Sequence, residues 1–257
     1  MLNYIKERIY KNPLQAELDK IEKTENKLIK ERLSIKTKSF NIPPKMNDIL
    51  KKAFNTAFDV VFSKGTGIIE KTYNKSEKEK DFLIRDFIFN NNPNKKEIKK
   101  LKSKNINNIA LSTAEGVGLG LFGIGLPDIV LFVGIVLKGV YEISMKYGID
   151  YNSPKERMFI LKLLEASMQK GDEFITVNNK INDVIENDFT INDEDIEKQI
   201  IKTSNAFADE MLIMKFIQGL PIIGVIGGFS NPIYYNKIIS FVELKYRKRY
   251  LYKKLHG

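Results

Sequence analysis

The chain has 257 residues, 43% hydrophobic and 29% charged, enough to bury a sizeable core and too apolar for wholesale disorder. Lys and Arg outnumber Asp and Glu by 42 to 32, a formal net charge of +10 that suits an anionic partner, either an acidic membrane surface or nucleic acid. With no Cys and a single histidine, His256, the sequence excludes disulfides, thiolate zinc sites, cysteine nucleophiles and histidine-centred triads.

The start, MLNYIKERIYKNPL, has no apolar core of signal-peptide length, so the expectation is a cytoplasmic protein. Residues 3–32 read as a helix of mixed charge that restarts or kinks at Pro13, and they form an N-terminal helical arm over 1–41. After the break at Pro43-Pro44, the residues Ile49, Leu50, Phe54, Ala57, Phe58, Val61 and Phe62 make an apolar stripe at helical spacing. Ser76 is the expected cap of a helix reaching about Phe89, and Asn90-Asn91-Asn92-Pro93-Asn94 is a loop. A helical region from Lys95 enters a glycine-rich run. Pro127 then opens an apolar helix that Gly148 ends. Ser153-Pro154 is a cap and first turn.

Residues 171–199 carry nine acidic side chains against Lys180 and Lys198 and read as a solvent-facing acidic excursion. Helix follows from about Glu194 to Met214. A second glycine-rich run, 216–236, leads into a basic C-terminal helix. No stretch alternates like a strand and then offers a hairpin turn. The expected fold is all-α: a multi-helix domain over 42–257 with a central glycine-rich apolar helical hairpin, preceded by a long N-terminal helix.

The run GVGLGLFGIGLPDIVLFVGIVLKGVYEIS, 116–144, admits three readings. Gly118, Gly120 and Gly123 satisfy a dinucleotide-binding spacing, but no strand precedes them and Pro127 breaks the helix that should follow. A membrane-spanning hairpin would put Glu115 and Asp128 in lipid, on limbs shorter than the roughly 20 apolar residues a span needs. A close-packed hairpin turning near Leu126 pairs Glu115 with Lys138 as a buried ion pair and lets Asp128 cap the second helix. That third reading absorbs every awkward charge. Gly116 with Gly120, and Gly224 with Gly228, share helix faces and suit close helix packing.

Basic residues gather in two places. Lys95, Lys96, Lys99, Lys100, Lys102 and Lys104 precede the first apolar run. Lys245, Arg247, Lys248 and Arg249, with Lys253 and Lys254 beyond, follow the second and are interleaved with Tyr246, Tyr250 and Tyr252. Such clusters beside apolar helices suit anionic headgroups. Nucleic acid is the weaker partner, since no reading element for it is present.

The block GIGLPDIVLFVGIVLKGVYEISMKYGIDYNSPKERMFILKLLEAS, 123–167, resembles the EcsC family of bacterial proteins, through Leu126, Asp128, Tyr147, Gly148, Asp150, Glu156 and Phe159-Ile160-Leu161. The C-terminal run from Leu220, with Asn231 after its glycines, resembles that family's ending. The resemblance implies a cytoplasmic or membrane-associated protein named for a neighbour of an ABC-type transporter, and it implies no catalytic set. The leading expectation is therefore a non-enzymatic, peripherally membrane-associated accessory protein without cofactor or metal, with a membrane protein as partner. The alternative is a carboxylate-based hydrolase using Asp128, Glu115, Glu142 or Glu156 with Tyr147 and Asn231, although capping and ion pairing already account for these carboxylates. A third reading is a glycine-zipper-like membrane-inserting protein.

Overall fold

The computed structural model describes residues 12–34, 44–64, 66–101, 127–187, 195–217 and 232–257, and among them every regular element is a helix. Local chemistry sets the boundaries. Asn12 Oδ1 accepts the Leu14 N–H at 3.0 Å and Pro13 takes the first helical position, so α1 runs Pro13–Ser34. Helix α2, Pro44–Phe58, continues into a π-helical turn, Asp59–Lys64, and is followed by the short α3, Thr66–Glu70. In the last turn of that π-helical segment the Phe62 carbonyl accepts from Arg157 Nη2 at 2.9 Å.

Helix α4, Lys75–Asn91, is capped by Asn74, whose Oδ1 accepts the Glu77 N–H at 3.2 Å. Ser76, the expected cap, lies inside the helix. Asn caps as well as Ser does, and Asn74 is the residue with extended backbone. Asn94 likewise starts α5, Lys95–Lys100. Ser153 and Pro154 open α7, Pro154–Met168, as the sequence indicated. Before it comes α6, Pro127–Lys146. After it come α8, Gly171–Asn187, α9, Ile196–Ile217, and α10, Pro232–His256.

Helix α7 is innermost. Every side chain from Met158 to Met168 is buried, with α8, α9 and α10 packed around it. On its far side, α9 lies along α2, and Phe207 gathers Phe54, Phe58 and Phe132 at centroid distances of 5.8, 5.0 and 6.3 Å. Helix α6 packs on α10, α4 and α2. It approaches α10 closely at Gly139, where a Cβ would stand 2.6 Å from the Tyr235 hydroxyl.

Two expectations about layout change. Helix α1 is no detached arm: Leu14, Glu17, Leu18, Ile21, Glu25 and Arg32 are buried against the rest of the bundle, chiefly α8 and α10. Nor is 171–187 a solvent-facing excursion. There the acidic residues occupy one side of an amphipathic helix whose Phe174, Val177, Ile181, Val184 and Ile185 are in the core, and period 3.6 lets both coexist. The first limb of the glycine-rich hairpin, with Glu115, Gly116 and Gly120, lies outside the described residues, as do Lys102, Lys104, Gly224, Gly228 and Asn231.

Candidate functional site

Most of the C-terminal basic cluster does not face solvent; Lys253 in the last turn does. Helix α10 packs against α1, α6, α7 and α8, so a cation buried on it must find an anion inside the protein. Lys245 is fully buried and donates to Glu25 Oε1 at 2.6 Å and to Asn182 at 2.8 Å. Lys248, also buried, reaches Glu186 at 2.6 Å and Glu25 Oε2 at 3.4 Å, while Arg247 pairs with Glu17 at 3.0 Å. Arg249 donates to Glu156 at 2.6 Å. The same helix holds Lys237 to Glu210, Glu243 to Lys146 and Lys254 to Asp86. Lys245, Arg247 and Lys248, expected to meet an external anion, are thereby corrected to internal partners of this chain's own carboxylates.

The network is electrostatically tight around Glu25. Burial works to raise its pKa, but the Lys245 ammonium, aided by Lys248 and by the Asn182 amide, outweighs it and brings the carboxyl down from 4.5 to about 2. For Lys245 burial dominates and lowers the ammonium to about 8, with Glu25 opposing. Asn178 and Asn182 add hydrogen bonds to Glu25 at 2.9 and 2.7 Å, so the carboxylate is fully engaged.

Of the proposed catalytic carboxylates and their companions, the structure brings two together. Tyr147 and Glu156 both touch Tyr246: the Tyr147 and Tyr246 rings stack at 6.3 Å, and the Tyr246 hydroxyl donates a short hydrogen bond to Glu156 Oε1. Tyr147 in turn donates to the Leu101 carbonyl at 3.0 Å. Burial raises the pKa of both tyrosines, Glu243 adding to this for Tyr147 and Glu156 for Tyr246, so both remain protonated donors. Glu156 thus ties α7 to α10 through Tyr246 and Arg249. Glu142 stands apart on α6, 3.8 Å from Lys78. Asp128 lies in the first turn of α6. Lys138 is buried on α6, while its expected partner Glu115 lies outside the described residues. Among the described residues no cluster of His, Asp and Glu is placed to hold a metal, and no helix is long and apolar enough to cross a membrane.

The N-terminal basic cluster behaves differently. Lys96, Lys99 and Lys100 on α5 are exposed, and among the described residues only Lys100 has a carboxylate at hand, Glu97 at 2.8 Å. Beside them, α4 turns an apolar stripe outward: Leu83, Ile84 and Phe87 are 64, 60 and 70% exposed, and Ile88 is exposed as well. Lys80 shares that outer face. The inner side of α4 carries Phe82 and Phe89 and is fastened by polar contacts, Arg85 to the Lys146 carbonyl at 2.9 Å and Asp86 to Tyr250 at 2.7 Å. The sequence reading missed this stripe, although residues 83, 84, 87 and 88 have helical spacing, because periodicity does not say which face a neighbour will cover.

Between α4, the α6–α7 turn and the C-terminal end of α10 lies a cleft of ≈ 830 Å³ lined by Phe82, Tyr147, Gly148, Arg249 and Lys253 among others. Gly148 shapes it. Its φ of +71° belongs to the left-handed region, and an added Cβ would lie 2.2 Å from the Phe82 ring.

The EcsC protein family matches residues 10–251, and so covers α1 to α10 nearly completely. Over 124 residues the chain is 28% identical to Protein EcsC of Bacillus subtilis (strain 168), which is 47% of this chain and 50% of that relative. The aligned part thus spans about half the length of that relative. No solved structure matches.

Proposed function

The chain belongs to the EcsC protein family, and from that premise we propose that it is a non-enzymatic accessory protein resting on an anionic membrane surface, beside a membrane-protein partner such as an ABC-type transporter. The observation that carries this reading is the outward stripe Leu83, Ile84, Phe87 and Ile88 on α4, with exposed Lys96, Lys99 and Lys100 on the adjoining α5. An outward apolar stripe with an exposed lysine on its own helix, Lys80, and others on the next complements a bilayer edge, where acyl chains lie beneath anionic headgroups. Inserting four apolar side chains that are 40 to 70% exposed is worth roughly 4 kcal/mol, and each lysine near anionic lipid about 1 kcal/mol. Together these suffice for reversible attachment. With no described helix able to cross a bilayer, attachment at the surface is the mode these residues support.

Flotation with vesicles tests the proposal. The protein should float with phosphatidylglycerol-containing vesicles and not with phosphatidylcholine alone, and salt should weaken the association. Two variants, Leu83→Ser with Phe87→Ser, and Lys96, Lys99 and Lys100→Glu, should each lose flotation while keeping wild-type helicity and melting. Variants that float like the wild type would overturn the reading.

A further inference from the structure

The cleft beside α4 adjoins a second cavity of ≈ 480 Å³ across the Phe82–Gly148 contact, and both are walled by Phe82, Gly148 and Ile149. The two halves of this groove differ in chemistry. At one end stand Arg249, Lys253 and Lys254 of α10, with Tyr250. At the other Leu83, Met145 and Ile149 make an apolar wall beside Lys75, Glu79 and Asp150, and Leu83 is the first residue of the outward stripe on α4. A cleft edged by cations thus adjoins a mostly apolar one that reaches the proposed membrane-facing stripe at Leu83. The volumes suit a small amphiphile, since ligand pockets run from about 300 to 1,000 Å³.

The charges at the polar end are not all spent. Its two lining carboxylates already hold lysines, Asp86 with Lys254 at 2.8 Å and Glu186 with Lys248 at 2.6 Å. Arg249 lies over the Phe159 ring at 4.7 Å and gives Nη1 to Glu156, which leaves further guanidinium N–H donors. Lys253 is exposed, and no carboxylate pairs with it among the described residues. Phe82, seated on Gly148, forms the floor where the polar and apolar halves meet.

We propose that this groove binds one amphiphilic anion, a phosphate-bearing lipid monomer, with its headgroup at Arg249 and Lys253 and its acyl chain over Phe82 and Ile149 toward Leu83. The site rests on the reading of α4 as the lipid-facing element, and gives that surface a place to draw a single lipid out of the bilayer plane. Bulk attachment and single-lipid capture then use separate cations: Lys96, Lys99 and Lys100 for the first, Arg249 and Lys253 for the second.

The full-length protein should be titrated calorimetrically with dihexanoyl phosphatidic acid below its micelle concentration, with dihexanoyl phosphatidylcholine, and with inorganic phosphate. Saturable binding of one phosphatidic acid per chain is expected, with the other two about tenfold weaker or absent. Lys253→Glu, an exposed change that the fold tolerates, should weaken phosphatidic acid by about tenfold and leave vesicle flotation intact. Ile149→Asn, which adds polarity without charge, should weaken phosphatidic acid and not inorganic phosphate. Equal affinity for phosphate would mean a plain anion site and would overturn the lipid assignment, as would equal affinity for phosphatidylcholine. Vesicle flotation without monomer binding would overturn the groove and leave the surface reading standing. Monomer binding without flotation would support the groove and sink the surface reading.

Discussion

Replacing Glu25 by Gln removes the anion on which Lys245 and Lys248 converge, and the size and pH course of the loss follow from the structure. Burial alone would raise the Glu25 carboxyl, yet its cations and amides hold it from 4.5 down to about 2, which corresponds to about 3 kcal/mol of native stability at neutral pH. The general cost of breaking a buried ion pair by deleting one partner, about 3–5 kcal/mol, agrees with that figure. The sign is fixed by proton uptake. As pH falls, the unfolded chain protonates Glu25 near 4.5 while the folded protein resists until about 2, so the stabilisation is complete above the first value and drains away between the two. A protonated Glu25 is close to Gln in shape and charge. Wild type and Glu25→Gln should therefore differ by about 3 kcal/mol at pH 7 and converge as pH falls toward 3 and below. Urea unfolding followed by circular dichroism at a series of pH values measures this. A gap that stays constant from pH 7 to 3, or one well under 1 kcal/mol at pH 7, would refute the account of Glu25 as the anchor of the network.

Other substitutions probe other parts of the argument. Gly148→Ala forces a side chain into a left-handed position and against the Phe82 ring, and should cost about 2 kcal/mol or more, read as a lowered melting temperature. Ser153→Ala removes the cap of α7 and should cost about 1 kcal/mol by the same measurement. Glu156→Gln leaves Arg249 without its anion and should destabilise by about 3 kcal/mol. A Glu156→Gln protein that melts like wild type would reopen the case for Glu156 as a chemical rather than a structural group. Tyr147→Phe loses one hydrogen bond to the Leu101 carbonyl and should cost about 1 kcal/mol.

What could be read from the sequence was mostly local. Ser153-Pro154, Pro127 and Gly148 mark helix ends through their own backbone chemistry, and the structure places those ends where the sequence put them. The all-α fold followed from periodicities of the same kind. Charge was legible in amount and in cluster but not in direction. Lys245, Arg247 and Lys248 look like a surface patch because nothing in their neighbourhood says that α10 is enclosed, and the glutamates that neutralise them sit on another helix. A faint sign existed: Glu17 and Glu25 fall on the same turn spacing as Leu14, Leu18 and Ile21, so they share an inward face with apolar residues. Such a placement demands a buried cation but does not say which one. The stripe on α4 shows the converse, an amphipathic pattern whose apolar side points away from the bundle.

The clamp between α1 and α10 also bears on the order in which the chain can fold. Glu25 and Lys245 are 220 positions apart, and Glu17 and Arg247 are 230 apart. During synthesis the glutamates emerge at least 220 residues before their partners, so neither set of charges has its counterpart for burial until both helices are present. Helices α2 to α9 have more local contacts to assemble around, but α10 can enter the middle of the bundle only with α1 in place to neutralise it. Closure of that pair is a non-local step, and it ties the stability of α1 to that of α10.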